Sequence, residues 1–122
     1  MISVLAIDDS RTIRELLRRA LETAGMQVTT ADDGVLGVSA FAGEAFDAVI
    51  TDINMPNMDG FGVIEAIRAG DRNKRVPILV LTTETGPELR ARARTAGATG
   101  WLTKPFDETA LVSTLKRVTG TI

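Results

Sequence analysis

Short apolar runs recur along the chain at Val4–Ile7, Ala48–Ile50 and Ile78–Leu81, with a more mixed one at Met26–Thr30. The first three are continuous rather than alternating, which is the pattern of strands covered on both faces, as in a parallel sheet. Helical spacing lies between them. Ile13, Leu16, Leu17, Ala20, Leu21 and Ala24 fall on one face of a helix that Gly25 closes. Val63, Ile64 and Ile67 repeat that period before Gly70, and Leu111, Leu115 and Val118 repeat it before Gly120. Val35–Phe41 and Leu89–Ala96 carry a fainter form, the second opened by Pro87-Glu88 and ended by Gly97. Thr99–Thr103 completes the series as a fifth strand. Strand followed by helix, five times over, predicts an open α/β sheet with helices on both faces.

A chain of 122 residues suits one domain, and no repeat, linker or low-complexity stretch divides it, so residues 1–122 are expected to form a single unit with no output domain attached. A hydrophobic fraction of 44% and a charged fraction of 25% are ordinary for a globular protein. The net charge of -2 offers no basic field for nucleic acid. No basic leader precedes the first strand and no apolar run approaches the roughly 20 residues needed to cross a bilayer, so a cytoplasmic location without membrane insertion is expected. The chain has no Cys and no His, which removes disulfides, thiolate metal sites and the commonest general base. Chemistry must rest on carboxylates, hydroxyls, Lys and backbone.

Those groups cluster in one place. In an open α/β sheet the ligand site lies beyond the carboxyl ends of the strands. The first strand runs into Asp8-Asp9, the third through Thr51 into Asp52, the fourth to Thr82-Thr83 and the fifth to Lys104-Pro105. Three converging carboxylates repel unless a cation compensates them. An all-oxygen set suits a hard ion, Mg²⁺ before Ca²⁺, with Mn²⁺ also open. The alternating acidic loop of a dedicated Ca²⁺ site is absent. Mg²⁺ is commonly completed by phosphate oxygens, and a Lys with a Thr hydroxyl could hold the others. Attack by a carboxylate on phosphorus, giving an acyl phosphate, is the simplest chemistry for such a set. Each element has a plain alternative: Asp8-Asp9-Ser10 as helix caps, Asp52 as a turn residue, Thr82 as a strand-end hydroxyl, Lys104 as a surface charge. The joint convergence at one sheet edge argues against taking all four that way.

Asp8-Asp9, the run Thr51-Asp52-Ile53-Asn54-Met55-Pro56-Asn57-Met58-Asp59-Gly60, Thr82 and Lys104-Pro105-Phe106 together resemble the response-regulator receiver domain. Within it the likeness is to the single-domain, CheY-like chemotaxis regulators, and it covers essentially the full chain. The resemblance implies a flavodoxin-like five-stranded parallel sheet in the order 2-1-3-4-5, flanked by five helices. It implies Asp52 as phospho-acceptor, with Asp8, Asp9, Asp52 and the backbone carbonyl of Asn54 as the Mg²⁺ set, and a cis Lys104–Pro105 bond. Lys104 would pair with the phosphoryl group, Thr82 would hydrogen-bond it and move, and Trp101 would be the switching aromatic. The implied partners are a histidine kinase and a flagellar motor switch protein controlling flagellar rotation, with the chain acting as a monomer. Thr83 stands where the family usually has Ala or Gly, and Thr85-Gly86-Pro87 replaces the basic helix start of motor-binding relatives. The alternatives are a phosphate sink in another two-component pathway and, more remotely, a Mg²⁺-dependent phosphohydrolase. The second lacks its expected general acid, because Asn54 stands two residues beyond Asp52. The domain is therefore read as a signalling module rather than an enzyme. Arg90, Arg92 and Arg94 are read as a solvated helix face, and Phe61, Val63 and Ile67 as core.

Overall fold

A computed structural model describes residues 1–120. Five strands alternate with five helices: β1 Ser3–Ile7, α1 Arg11–Thr23, β2 Gln27–Ala31, α2 Gly34–Gly43, β3 Ala48–Thr51, α3 Gly60–Ala69, β4 Ile78–Thr82, α4 Pro87–Ala96, β5 Gly100–Thr103 and α5 Glu108–Val118. The strands form one parallel sheet in the order β2-β1-β3-β4-β5. The expected flavodoxin-like architecture is thus present, with strand ends displaced by a residue or so from their sequence positions.

Successive strand residues point to opposite faces, so the apolar runs split into two cores. Leu5, Ile7, Val49, Ile78 and Val80 face α2, α3 and α4, where they meet Phe41, Phe61, Val63, Ile64, Ile67 and Ala93. Val4, Ala6, Ala48, Ile50, Leu79 and Leu81 face the other way, against Leu17 and Leu21 of α1 and Leu111 and Leu115 of α5. This double coverage explains why the central strands show no polar alternation. Each fully buried Leu or Ile contributes about 1.5–3 kcal/mol relative to exposure, so the two cores supply the main driving force for folding. Phe61, Val63 and Ile67 are buried as expected. Leu16 is a correction: the α1 face is carried by Leu17, Ala20 and Leu21, and Leu16 remains 45% exposed. It lies at the edge of the stripe, lining a shallow groove with Ile13, Arg19, Pro105 and Phe106.

Because every helix follows a strand, all five helix N-termini lie on the edge where the strands end. Ser10, Asp33, Asp59 and Asp107 cap α1, α2, α3 and α5, each accepting the backbone N–H three residues on. Helix α4 begins instead with Pro87 after Gly86 and has no side-chain cap. The positive ends of the helix dipoles therefore share this edge with the carboxylates.

Candidate functional site

The sheet register dictates which side chains meet. Ile7 of β1 is level with Thr51 of β3, so Asp8 and Asp52, one residue further along each strand, are neighbours. Thr51 is level with Val80, and Thr82 with Thr103, which places Thr82 and Lys104 at the same edge. The ladder continues into these residues: Asp52 N–H donates to the Ile7 carbonyl at 3.0 Å and Lys104 N–H to the Thr82 carbonyl at 2.8 Å. Gly60 completes the floor. A Cβ at Gly60 would lie 2.9 Å from Ile53 Cα, so only glycine lets α3 start this close to the backbone after Asp52.

Carboxylate oxygens of Asp8, Asp9 and Asp52 lie within 4.8 Å of one another, with Asp8 and Asp52 buried and Asp9 exposed. Lys104 spans the two buried acids. Its Nζ is 2.7 Å from Asp8 Oδ2 and 2.7 Å from Asp52 Oδ2. The remaining oxygens are also engaged: Ser10 N–H donates to Asp8 Oδ1 at 2.9 Å, and Ile53 N–H to Asp52 Oδ1 at 2.6 Å. Thr82 is buried, and its hydroxyl accepts the Glu84 N–H at 3.3 Å. Asn54 is exposed and its amide donates to Glu84 Oε1 at 2.7 Å. Thr83 is exposed beside them.

Burial pushes the Asp8 carboxyl above its usual range, more than the hydrogen bonds from Lys104 and the Ser10 amide pull it down. For Lys104, burial alone would lower the pKa. Hydrogen bonds to Asp52 and Asp8 outweigh it and the net shift is upward, so the ammonium is held charged. A buried acid with a raised pKa beside a firmly charged Lys is a site short of positive charge, because one ammonium faces two carboxylates with a third close by.

The match to known proteins agrees with this geometry. Residues 4–116 match the family described as response regulator receiver domain. The chain belongs to the response-regulator receiver-domain family. The chemotaxis protein CheY of Pseudomonas aeruginosa is 32% identical over 118 residues, covering 96% of this chain and 95% of that one. The chemotaxis protein CheY4 of Vibrio cholerae superposes with a TM-score of 0.92 at 46% identity, covering 97% of this chain and 98% of that one. The receiver domain of sensor histidine kinase PA1611 from Pseudomonas aeruginosa gives a TM-score of 0.90 at 29% identity, with 98% of each chain covered. That structure is described with a magnesium ion coordinated in its active-site cleft.

The receiver edge of this chain fits such an ion: its donors are hard oxygens, they converge within one ion's reach, and their charge exceeds what Lys104 neutralises. The structure brings Asp8, Asp9, Asp52 and Lys104 together, with Thr82 at the end of β4 and Asn54 in the loop after β3. Lys104–Pro105 is cis. Trp101 sits apart, half-buried against the α2–α4 core, and its indole Nε1 is shielded from solvent with no hydrogen-bond partner among the described residues. The cations of α4 are exposed, but the Arg92 guanidinium lies 3.9 Å above the Phe61 ring, so that residue also covers core. Two contributors escaped the sequence reading. Arg14 donates to the Asp8 carbonyl at 2.8 Å and pairs with Asp32 at 3.5 Å, bracing the β1–α1 turn. Asn57, in a left-handed backbone conformation, donates to Asp33 at 2.7 Å. An Asn within a Pro-Asn-Met-Asp-Gly turn is a signal for such a conformation, but not for its partner. No helix among the described residues is long and apolar enough to cross a membrane.

Proposed function

We propose that this receiver domain is a two-component response regulator that accepts a phosphoryl group on Asp52 from a histidine kinase and passes the signal by phosphorylation-dependent partner binding in chemotaxis. The observation that carries this reading is the Lys104 ammonium, 2.7 Å from both Asp52 and Asp8 at the sheet edge. In the transfer, an Asp52 oxygen forms a bond to phosphorus as the bond to the donor's leaving group breaks, giving an acyl phosphate. Lys104 would follow the new phosphoryl oxygens, and the Thr82 hydroxyl, which accepts from the Glu84 amide, would donate its own O–H to one of them. Asp8, Asp9, Asp52 and the Asn54 carbonyl would hold Mg²⁺, which when bound neutralises charge developing on the transferred group. Asn54 and Glu84, already bonded to each other, would border the approach of water to the acyl phosphate.

The chemotaxis assignment is supported by relatives named as chemotaxis proteins. The partner in that case is a flagellar motor switch protein, engaged by the face of α4, β5 and α5 around Trp101. Incubating the chain with a small acyl-phosphate donor and Mg²⁺ should add one phosphoryl group labile to hydroxylamine, and Asp52→Asn should abolish it. Normal labelling of that variant, or labelling unaffected by a chelator, would overturn the chemistry. A pull-down of switch protein with and without beryllofluoride separates motor binding from a phosphate sink: equal capture in both states, or none in either, favours the sink.

A further inference from the structure

Residues 53–59 link Asp52 to α3 and carry Asn54. Inside this loop, Gly60 N–H donates to the Ile53 carbonyl at 2.9 Å and Met58 N–H to the Pro56 carbonyl at 2.8 Å. Side chains tie it outward on two sides. Asn54 donates to Glu84 of the β4–α4 loop, and Asn57 Nδ2 donates to Asp33 Oδ2 at 2.7 Å, at the start of α2. Asp33 uses both of its oxygens: Oδ1 accepts the Leu36 N–H at 2.8 Å and caps α2, while Oδ2 takes Asn57. The Leu36 amide, and then the Asn57 amide, hold the Asp33 carboxyl below the usual range. The backbones also touch here. A Cβ on Gly34 would lie 2.8 Å from Met58 Cβ, so α2 and the loop meet without an intervening side chain. Asn57 has φ 70, in the left-handed region that Asn adopts more readily than most L-residues.

We infer that the Asp33–Asn57 bridge is a positioning device that fixes the loop so that Asn54 and the carboxylates of Asp8, Asp9 and Asp52 face one divalent cation together. This rests on the reading of the edge as a Mg²⁺-assisted phospho-acceptor site. With the bridge in place, the first turn of α2 and the loop behave as one rigid piece, and the ligands are ordered before the ion arrives. Without it, part of the binding free energy goes into ordering residues 53–59, and the loss appears as weaker affinity rather than as an altered chemical step. Asp33 and Asn57 touch no reacting atom; both act through the loop.

The test is calorimetric Mg²⁺ titration of the full chain and four variants. Asn57→Gly keeps the left-handed backbone and loses the amide; Asp33→Ser keeps a capping oxygen for Leu36 and cannot reach Asn57. Each should weaken Mg²⁺ binding about tenfold, at the low end for partners beyond the ligands themselves. The double variant should be no weaker than either single one, because both remove the same bond. Asp33→Asn should recover most of the loss, since its oxygen can cap α2 while its NH₂ meets a reoriented Asn57 amide. Acyl-phosphate labelling at saturating Mg²⁺ should stay near that of the unaltered chain, a split that general loosening of the fold would not produce. If Asp33→Ser fails to fold, Asn57→Gly decides alone, because it leaves the cap intact. Unchanged affinity in the single variants, additive losses in the double, or no rescue by Asp33→Asn would overturn the bridge while leaving the site reading standing. Failure of the unaltered chain to bind Mg²⁺ would overturn both.

Discussion

Replacing Lys104 by Met keeps most of the aliphatic stem and removes the one charge that separates Asp8 from Asp52. Each contact of 2.7 Å is worth about 6 kcal/mol of attraction at an effective dielectric constant near 20. Two carboxylate oxygens at the 4.8 Å limit of the cluster repel by about 3.5 kcal/mol on the same scale. Desolvation of three largely buried charges cancels most of that gross gain, and removing one partner from a buried ionic group costs about 3–5 kcal/mol. The Lys104→Met chain should therefore be about 3 kcal/mol less stable at pH 8 without Mg²⁺, a drop of about 12 °C in melting temperature for a domain of this size. Two dependences identify the cause. In the variant, Asp8 keeps the burial that raises its pKa and loses the ammonium that pulls it down, so native stability rises as pH falls, and the deficit should narrow between pH 8 and pH 5. In the unaltered chain, the raised Lys104 pKa contributes stability that is fully present below its ordinary 10.5 and is lost as pH rises through the folded value; the variant has no such alkaline loss. Millimolar Mg²⁺ should recover most of the deficit, because the ion takes over the neutralising role and binds only the native state. Melting curves by circular dichroism at pH 5 and pH 8, with and without Mg²⁺, and a further series at alkaline pH above the ordinary Lys value, provide the readout. A deficit equal at both pH values and untouched by Mg²⁺ would show that Lys104 acts by packing alone.

Arg68 donates to the carbonyls of Gly97 at 2.8 and 3.0 Å, Lys74 at 2.7 Å and Val76 at 2.6 Å, so Arg68→Ala should cost about 3 kcal/mol in urea unfolding at constant slope. Arg68→Lys should recover less than half, since a single ammonium cannot reproduce the planar fork; full recovery would mean that charge alone matters there. Trp101→Phe removes a buried indole N–H that has no partner among the described residues, an orphan worth about 1–3 kcal/mol, and also removes packing volume. The two effects should leave unfolding free energy within about 1 kcal/mol of the starting value, and a loss well beyond that would show that the indole is hydrogen-bonded in solution.

The fold was legible because the strongest signals in the sequence are those this architecture needs. Continuous apolar runs at β1, β3 and β4 require cover on both faces, and the helices between them supply it. Leu16 shows the limit of that reasoning. Periodicity assigns a residue to a stripe about 100° wide, but whether the edge of the stripe is covered depends on what lies across from it, and Leu16 faces an open groove bordered by Pro105, Phe106 and the start of α5. The site was legible for a related reason. Its residues follow directly from strand ends, and a parallel register carries strand ends to one edge.

Contacts between loops follow a different rule. Asp33 has the sequence signature of a helix cap and Asn57 that of a turn, and each fills the local role its neighbours demand. Nothing local to either predicts that the second oxygen of the cap accepts the amide of the turn, because that depends on how far α2 and the β3–α3 loop extend above the sheet. The same holds for Arg68, whose helical position says only that a cation stands in the last turn of α3, while its partners come from two segments further along the chain. In a receiver domain the distinction has a functional side. The candidate site residues sit where the sheet fixes them, whereas the loops around them are tied by cross-loop bonds such as Asp33–Asn57. On the proposed reading, chains with the same aspartates, threonine and lysine can then differ in metal affinity through bonds of this second kind, with no change to the groups that react.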